Sequence, residues 1–137
     1  MAAELFVDTS AWYPIVDKSV TGASRVRKVL QERVTAGARI VTTNLVVAET
    51  HALLLRRAGR GVALAFVRNV VRAPNVIVTS DPDLEAAAVA DWLQKFDDQP
   101  FSLADAVSFA TMKARGIREA LTLDHHFAVA GFVATPG

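Results

Sequence analysis

Short apolar runs that alternate with longer stretches of helical periodicity constrain the fold of this chain more than any other feature. The apolar runs predict strands at residues 5–7, 39–42, 75–79, 120–123 and 132–133. Strands of this kind, separated by helices, are typical of βαβ units, in which a mainly parallel sheet carries helices on both faces. The sequence therefore predicts a three-layer α/β/α fold with a central sheet of four to five short strands.

Residues that favour helix ends bound several of the predicted helices. Ser10 can cap a short first helix after the first strand. Ser102 can cap the sixth helix, and Asp105 three residues later completes a capping-box pattern. No repeat, low-complexity tract or linker separates these elements, so we expect one domain over residues 1–137.

The composition excludes several classes of site. The chain has no cysteine, which rules out disulfide frameworks, thiolate metal sites and cysteine nucleophiles. The N-terminal stretch lacks the basic and apolar regions of a signal peptide. No apolar run reaches the roughly 18 residues of a membrane span. We therefore expect a cytoplasmic protein.

Basic and acidic side chains are distributed unevenly, although the net charge is only +1. Residues 1–80 contain 11 basic against 5 acidic side chains, and residues 81–137 contain 4 against 9. Arginines outnumber lysines 11 to 4, and the planar guanidinium group suits phosphate. The first part of the chain is thus compatible with a polyanionic partner such as nucleic acid, although an ordinary solvated helix surface would explain it too.

Two carboxylates directly follow predicted strands. Asp8 comes after the run Leu-Phe-Val, and Asp124 comes after Leu-Thr-Leu. Because the carboxyl ends of parallel strands lie along one edge of a sheet, both side chains are expected at the same rim, where α/β sheets bind ligands. For either residue alone, a helix N-cap is a sufficient explanation.

Two further carboxylates lie on predicted helices. Glu49 has apolar residues one turn away in both directions, so we expect it on the buried stripe of the third helix. A buried carboxylate is paired, neutralised or bound to metal, and the partner here could be an arginine such as Arg25 or Arg115. Asp105 lies in the first turn of the sixth helix, where a capping box alone would explain it.

The four acids together are harder to explain as separate structural residues. Carboxylates that converge on one rim repel each other, and no lysine or arginine stands beside them in their local motifs. A hard divalent cation such as Mg²⁺ is the natural counter-charge, and it suits phosphoryl transfer because it retains several waters. The absence of cysteine, with only 3 histidines, argues against zinc.

The order of these motifs resembles a PIN domain, and more narrowly the VapC-type ribonuclease toxins of bacterial toxin–antitoxin pairs. The resemblance is carried by Asp8-Thr9-Ser10, Glu49, Ser102-Leu103-Ala104-Asp105 and Leu121-Thr122-Leu123-Asp124-His125-His126-Phe127. It implies that Asp8, Glu49, Asp105 and Asp124 are catalytic and bind Mg²⁺ or Mn²⁺. It also implies that the Ser10 hydroxyl, or less plausibly that of Thr9, supports the first acid. Thr122 matches a frequent hydroxyl before the last acid and is a candidate to support the ligands, with a side chain that faces the sheet as the alternative.

The resemblance further implies an activity and partners. The expected reaction is hydrolysis of RNA by metal-activated water, leaving a 5′-phosphate and a 3′-hydroxyl and inhibiting translation and growth. The expected partners are a second copy of the chain and a small VapB-type antitoxin. The basic candidates for RNA contact are Arg25, Arg27, Lys28, Arg56 and Arg57.

Some roles and alternatives stay open. His125 and His126, beside Asp124, could bind metal or touch RNA, and Asp98 is a further acid in the loop before the sixth helix. A non-catalytic PIN-like module that binds RNA or protein is the main alternative. A phosphatase with Asp8 as nucleophile is a third, but Ser10 stands where such an enzyme normally has a second aspartate.

Overall fold

Five short strands form one sheet in the computed structural model, which describes residues 3–72 and 74–137. The strands are Glu4–Val7 (β1), Arg39–Thr43 (β2), Val76–Val78 (β3), Glu119–Leu121 (β4) and Val133–Thr135 (β5). Every neighbouring pair is parallel, in the order β3-β2-β1-β4-β5. The prediction of a mainly parallel sheet of four to five short strands is confirmed.

Helices cover the sheet on both faces. They are Thr9–Val16 (α1), Ala23–Thr35 (α2), Asn44–Arg57 (α3), Arg60–Val70 (α4), Pro82–Ala88 (α5), Leu103–Arg115 (α6) and His126–Val129 (α7). A π-helical segment, Val89–Gln94, continues α5. Helices α1 to α4 pack together, and so do α5, the π-helical segment, α6 and α7. Right-handed crossovers place these two groups on opposite faces, as the three-layer prediction requires.

The strand order creates a ligand-binding position between β1 and β4. These strands are neighbours, with Phe6 opposite Ala120 and Val7 opposite Leu121. The chain leaves β1 toward β2 on one side and leaves β4 toward β5 on the other. Ligands of α/β proteins bind outside the carboxyl ends of the strands at such a point of divergence. Asp8 follows β1 directly and Asp124 lies shortly after β4.

A cluster of phenylalanines fixes the elements that carry these acids. Phe6 of β1 and Phe127 of α7 lie with ring centroids 6.0 Å apart, and Phe109 of α6 lies 4.9 Å from Phe127. All three rings are fully buried. The Phe109 and Phe127 rings pack edge-on at 84°, which adds to the free energy gained from burial of the rings. The polar rim therefore stands on three elements held by one rigid core.

Several strand and helix ends differ from the prediction by one or two residues, and two of these differences lie at the β1/β4 edge. The cap of α1 is Asp8, not Ser10, because the Asp8 carboxylate accepts from the backbone N–H of Ser10. Strand β4 ends at Leu121 because the Thr122 hydroxyl accepts from the Asp124 backbone N–H at 2.9 Å, which turns the chain away from the sheet. Among the helices of the described residues, none is long and apolar enough to cross a membrane.

Candidate metal-binding site

The Asp8 side chain lies at the centre of the β1/β4 edge and is only 5% exposed. Its Oδ2 atom accepts from the Ser10 hydroxyl at 2.9 Å, the Ser10 backbone N–H at 3.4 Å and the Thr122 hydroxyl at 3.2 Å. Burial raises the pKa of Asp8 to about 6, against the opposing effect of the Ser10 hydrogen bonds. The negative charge of Asp105 also raises this pKa.

Ser10 and Thr122 join the ends of β1 and β4. Their hydroxyl oxygens are 3.1 Å apart, and the Ser10 hydroxyl also accepts from the backbone N–H of Leu123 at 2.8 Å. Both hydroxyls predicted to support acids therefore contact Asp8. The Thr9 hydroxyl instead donates to the Val46 carbonyl on α3, which leaves Ser10 as the better candidate for support of Asp8.

Asp105 combines a structural contact with a position at the site. It is the third residue of α6, and the capping box with Ser102 is complete, with bonds of 3.0 Å and 3.2 Å. The same Oδ2 atom that accepts from the Ser102 backbone lies 3.2 Å from Nδ1 of His126. The capping role expected from the sequence is confirmed, and it holds the carboxylate beside His126.

Asp124 is held by the start of α7. Its Oδ1 atom accepts from the backbone N–H of His126 at 2.9 Å and lies 3.5 Å from the His126 ring nitrogen Nδ1. The side chain remains 28% exposed. Asp124 thus reaches the same His126 imidazole as Asp105, and this imidazole links the two carboxylates.

The three aspartates share one hydrogen-bonding pattern. Each uses a single oxygen for its bonds to the protein: Oδ2 of Asp8, Oδ2 of Asp105 and Oδ1 of Asp124. In the described ranges 3–72 and 74–137, the second oxygens of Asp105 and Asp124 have no hydrogen-bond partner, whereas the backbone N–H of Thr9 also stabilises the Asp8 carboxylate. Because no fully buried side-chain oxygen there lacks a partner, the second oxygens of Asp105 and Asp124 retain some exposure to solvent.

This donor set fits a hard divalent cation. Free carboxylate oxygens are the ligands that Mg²⁺ and Mn²⁺ prefer, and Mg²⁺ commonly takes one or two of them together with waters. Within the part of the chain that the structure describes, no lysine or arginine forms an ion pair with any of the three aspartates. A bound cation would therefore supply the counter-charge, with Asp8, Asp105 and Asp124 as its candidate ligands.

The expectation that Glu49 is buried is wrong, because its side chain is exposed. The buried stripe of α3 is narrower than its apolar sequence predicts and consists of Val46, Thr50 and Leu54. The predicted arginine partners are also engaged elsewhere, Arg115 with Glu4 and Arg25 with the carbonyl of Gly137. Glu49 nevertheless lies about 60° around the helix from Val46, which contacts Thr9 next to Asp8.

The predicted RNA-contacting residues lie on α2 and α3 and differ in whether their side chains contact other residues of the chain. The Arg27 guanidinium donates to the Ile15 carbonyl, and that of Arg57 lies 5.5 Å from the centre of the Tyr13 ring. Lys28, Arg56 and Arg25 have exposed side chains. The N-terminal end of α2 lies near the loop that carries Asp124, since a Cβ at Gly22 would lie 3.7 Å from the Leu123 side chain.

The sequence left the role of His126 open, and the structure brings its imidazole to Asp105 and Asp124. The ligating atoms of Asp124, His125 and His126 lie within 4.8 Å of one another, but His125 is 80% exposed and His126 only 16%. The only local signal in the sequence was the position of His126 two residues after Asp124, next to Phe127, which is buried. Asp98, by contrast, is exposed in the loop before α6.

Comparisons with known proteins agree with this architecture. The PIN domain family matches residues 5–133. The 23S rRNA-specific endonuclease VapC20 from two strains of Mycobacterium tuberculosis is 38% identical over 135 residues, covering 94% of this chain and 95% of that protein. The crystal structure of Mycobacterium tuberculosis VapC20, a sarcin-ricin loop cleaving toxin, matches with a TM-score of 0.84 at 32% identity, covering 94% and 96% of the two chains. The chain therefore belongs to the PIN domain family and, within it, to the VapC-type ribonucleases.

Proposed function

We propose that this chain is a divalent-metal-dependent endoribonuclease that acts as the toxin of a toxin–antitoxin pair. The observation that carries the proposal is the set of three aspartates at the β1/β4 edge, each held through one oxygen by hydrogen bonds and without a lysine or arginine ion pair in the described residues. Asp8, Asp105 and Asp124 would hold Mg²⁺ or Mn²⁺, with the exposed Glu49 adding a more distant carboxylate. When bound, such an ion lowers the pKa of a coordinated water and offsets charge on the phosphate.

The surrounding residues prepare the ligands before any ion arrives. Ser10 and Thr122 fix one oxygen of Asp8, and the capping box fixes one oxygen of Asp105. Fixed ligands lose little conformational entropy when the ion binds. The raised pKa of Asp8 reflects the cost of keeping its charge buried without a partner, a cost that a cation would offset.

We further propose large-subunit ribosomal RNA as the substrate, with inhibition of translation and growth as the result. The support is the similarity to VapC20, which this chain matches over 94% of its length. VapC20 is named as 23S rRNA-specific and as cleaving the sarcin-ricin loop. The predominance of basic side chains in residues 1–80 suits an RNA partner. A VapB-type antitoxin, a homodimer and a cytoplasmic location belong to the same proposal.

The test is cleavage of purified ribosomes, with the products mapped by primer extension and their ends analysed. With Mg²⁺ or Mn²⁺ we expect a discrete cut in the large-subunit RNA that leaves a 5′-phosphate and a 3′-hydroxyl. Excess chelator should abolish the cut, and so should Asp8→Asn, whereas Asp98→Asn is the matched control at an exposed acid. A cut that persists in chelator would overturn the metal dependence.

Two other outcomes would revise the proposal. Cleavage of other RNAs with the same metal requirement would retain the nuclease but reject the ribosomal substrate. Tight binding of RNA without any cleavage would favour the alternative of a non-catalytic binding module.

A further inference from the structure

We propose that His126 is a positioning residue whose imidazole N–H holds Asp105 and Asp124 in the arrangement that receives the metal. This inference rests on the proposed metal-dependent function. It assigns a task to the only imidazole that contacts two of the candidate ligands in the described part of the chain.

The first argument is the direction of the hydrogen bond. Nδ1 of His126 lies 3.2 Å from Oδ2 of Asp105 and 3.5 Å from Oδ1 of Asp124. Ionised carboxylates have only acceptor sites, so a hydrogen bond at this nitrogen requires that Nδ1 carry the proton. The proton lies between two negative groups and reduces their mutual repulsion.

The second argument is that the contact joins separate elements. Asp105 belongs to α6 and Asp124 to the turn before α7, and 21 residues separate Asp105 from His126. Other contacts of these carboxylates are local, namely the capping box of Asp105 and the backbone bond of Asp124. The His126 side chain is thus the direct polar link between the two ligands.

The third argument is that the imidazole itself is fixed. Its side chain is 16% exposed, and the ring packs edge-on against Phe101 with centroids 5.3 Å apart and an interplanar angle of 76°. The backbone N–H of the same residue is bound to Asp124, and the next residue, Phe127, is fully buried. A side chain whose ring packs against Phe101 and whose backbone is fixed on both sides can hold its acceptors in turn, as the partners of metal ligands commonly do.

The direct test compares two replacements of His126 with a control. His126→Phe keeps a ring against Phe101 but removes the donor, and His126→Asn places an amide N–H near the position of Nδ1. His51→Phe is the matched control, since His51 lies on α3 and the histidine–aspartate ion pairs found among the described residues involve only His125 and His126. Mn²⁺ affinity is measured by calorimetry, and folding by circular dichroism.

We expect His126→Phe to weaken Mn²⁺ binding by about 10- to 100-fold, with a matching loss of RNA cleavage. His126→Asn should recover most of the affinity, and His51→Phe should bind Mn²⁺ like the wild type. Wild-type affinity in a folded His126→Phe protein would overturn the inference, as would failure of His126→Asn to bind better than His126→Phe.

Two spectroscopic readouts do not depend on cleavage. In the metal-free protein, ¹H–¹⁵N correlation spectra should show His126 protonated at Nδ1, and a proton only on Nε2 would overturn the inference. In the Mn²⁺-loaded protein, pulsed EPR should give the same nitrogen couplings for the wild type and His126→Asn, because the His126 imidazole is not expected to bind the metal. An imidazole nitrogen coupling that is present in the wild type and lost in His126→Asn would make His126 a metal ligand and overturn the positioning role.

The outcomes also separate this inference from the proposed function. If the wild type binds no Mn²⁺ and cleaves no RNA, both fail. If the wild type binds Mn²⁺ and cleaves RNA while His126→Phe behaves identically, only the role of His126 fails.

Discussion

Replacement of Asp8 with asparagine should stabilise the metal-free protein at neutral pH while it removes RNA cleavage. Burial raises the pKa of Asp8 from 3.8 to about 6. The buried charge therefore reduces the free energy of unfolding by up to about 3 kcal/mol at neutral pH, at 1.36 kcal/mol for each pKa unit. Asparagine has nearly the same shape, and its Oδ1 atom can still accept from Ser10 and Thr122.

The pH dependence gives the sign of this effect. Above about pH 6, Asp8 is ionised in both the folded and unfolded states, and the folded state carries the full cost of the buried charge. As the pH falls from about 6 to 3.8, the folded state takes up a proton before the unfolded state does, and the cost disappears. The advantage of Asp8→Asn should thus be about 1–3 kcal/mol at pH 7 and close to zero below pH 4.

Urea denaturation in excess chelator measures this difference at pH 7 and pH 4. Asp98→Asn, at an exposed position, controls for the loss of one negative charge. Added Mg²⁺ should then stabilise the wild type but not Asp8→Asn, because only the wild type keeps the complete ligand set. An Asp8→Asn protein that is less stable than the wild type at pH 7 would refute the reasoning. A stability gain of the same size at pH 7 and pH 4 would refute it as well.

Three further substitutions test other contacts of the site, and urea denaturation and RNA cleavage measure each of them. Thr122→Val removes the hydroxyl that contacts Asp8 and Asp124 but keeps the branched shape, so we expect a loss of about 1–3 kcal/mol and slower cleavage. Ser102→Ala removes the α6 cap and should cost about 1 kcal/mol; unchanged stability would contradict the capping assignment. Glu49→Gln should change stability by less than about 0.5 kcal/mol because Glu49 is exposed, and it should weaken Mn²⁺ binding less than Asp8→Asn does.

Local sequence patterns were sufficient to predict the strands, the start of α6 and the edge of the sheet that carries Asp8 and Asp124. Apolar runs identified all five strands, because a short buried strand needs consecutive apolar residues wherever it lies in the sheet. The pair Ser102 and Asp105 identified the start of α6, because a capping box depends only on residues of one helical turn. The parallel sheet then placed Asp8 and Asp124 at one edge.

Tertiary packing decided which side chains are buried and which meet. The apolar neighbours of Glu49 predicted burial, but only Val46, Thr50 and Leu54 of α3 are buried, because the surface offered by neighbouring elements sets the width of a buried stripe. The strand order, which no local pattern encodes, made β1 and β4 neighbours and brought Thr122 to Asp8.

The same holds for the electrostatics of the site. The sequence alone established that carboxylates collect at one rim of a parallel α/β sheet. The raised pKa of Asp8 and the link from His126 to Asp105 arise only in the folded chain. Burial and contacts between residues far apart in sequence depend on how whole elements pack, because the energy of a buried charge is determined by everything that surrounds it.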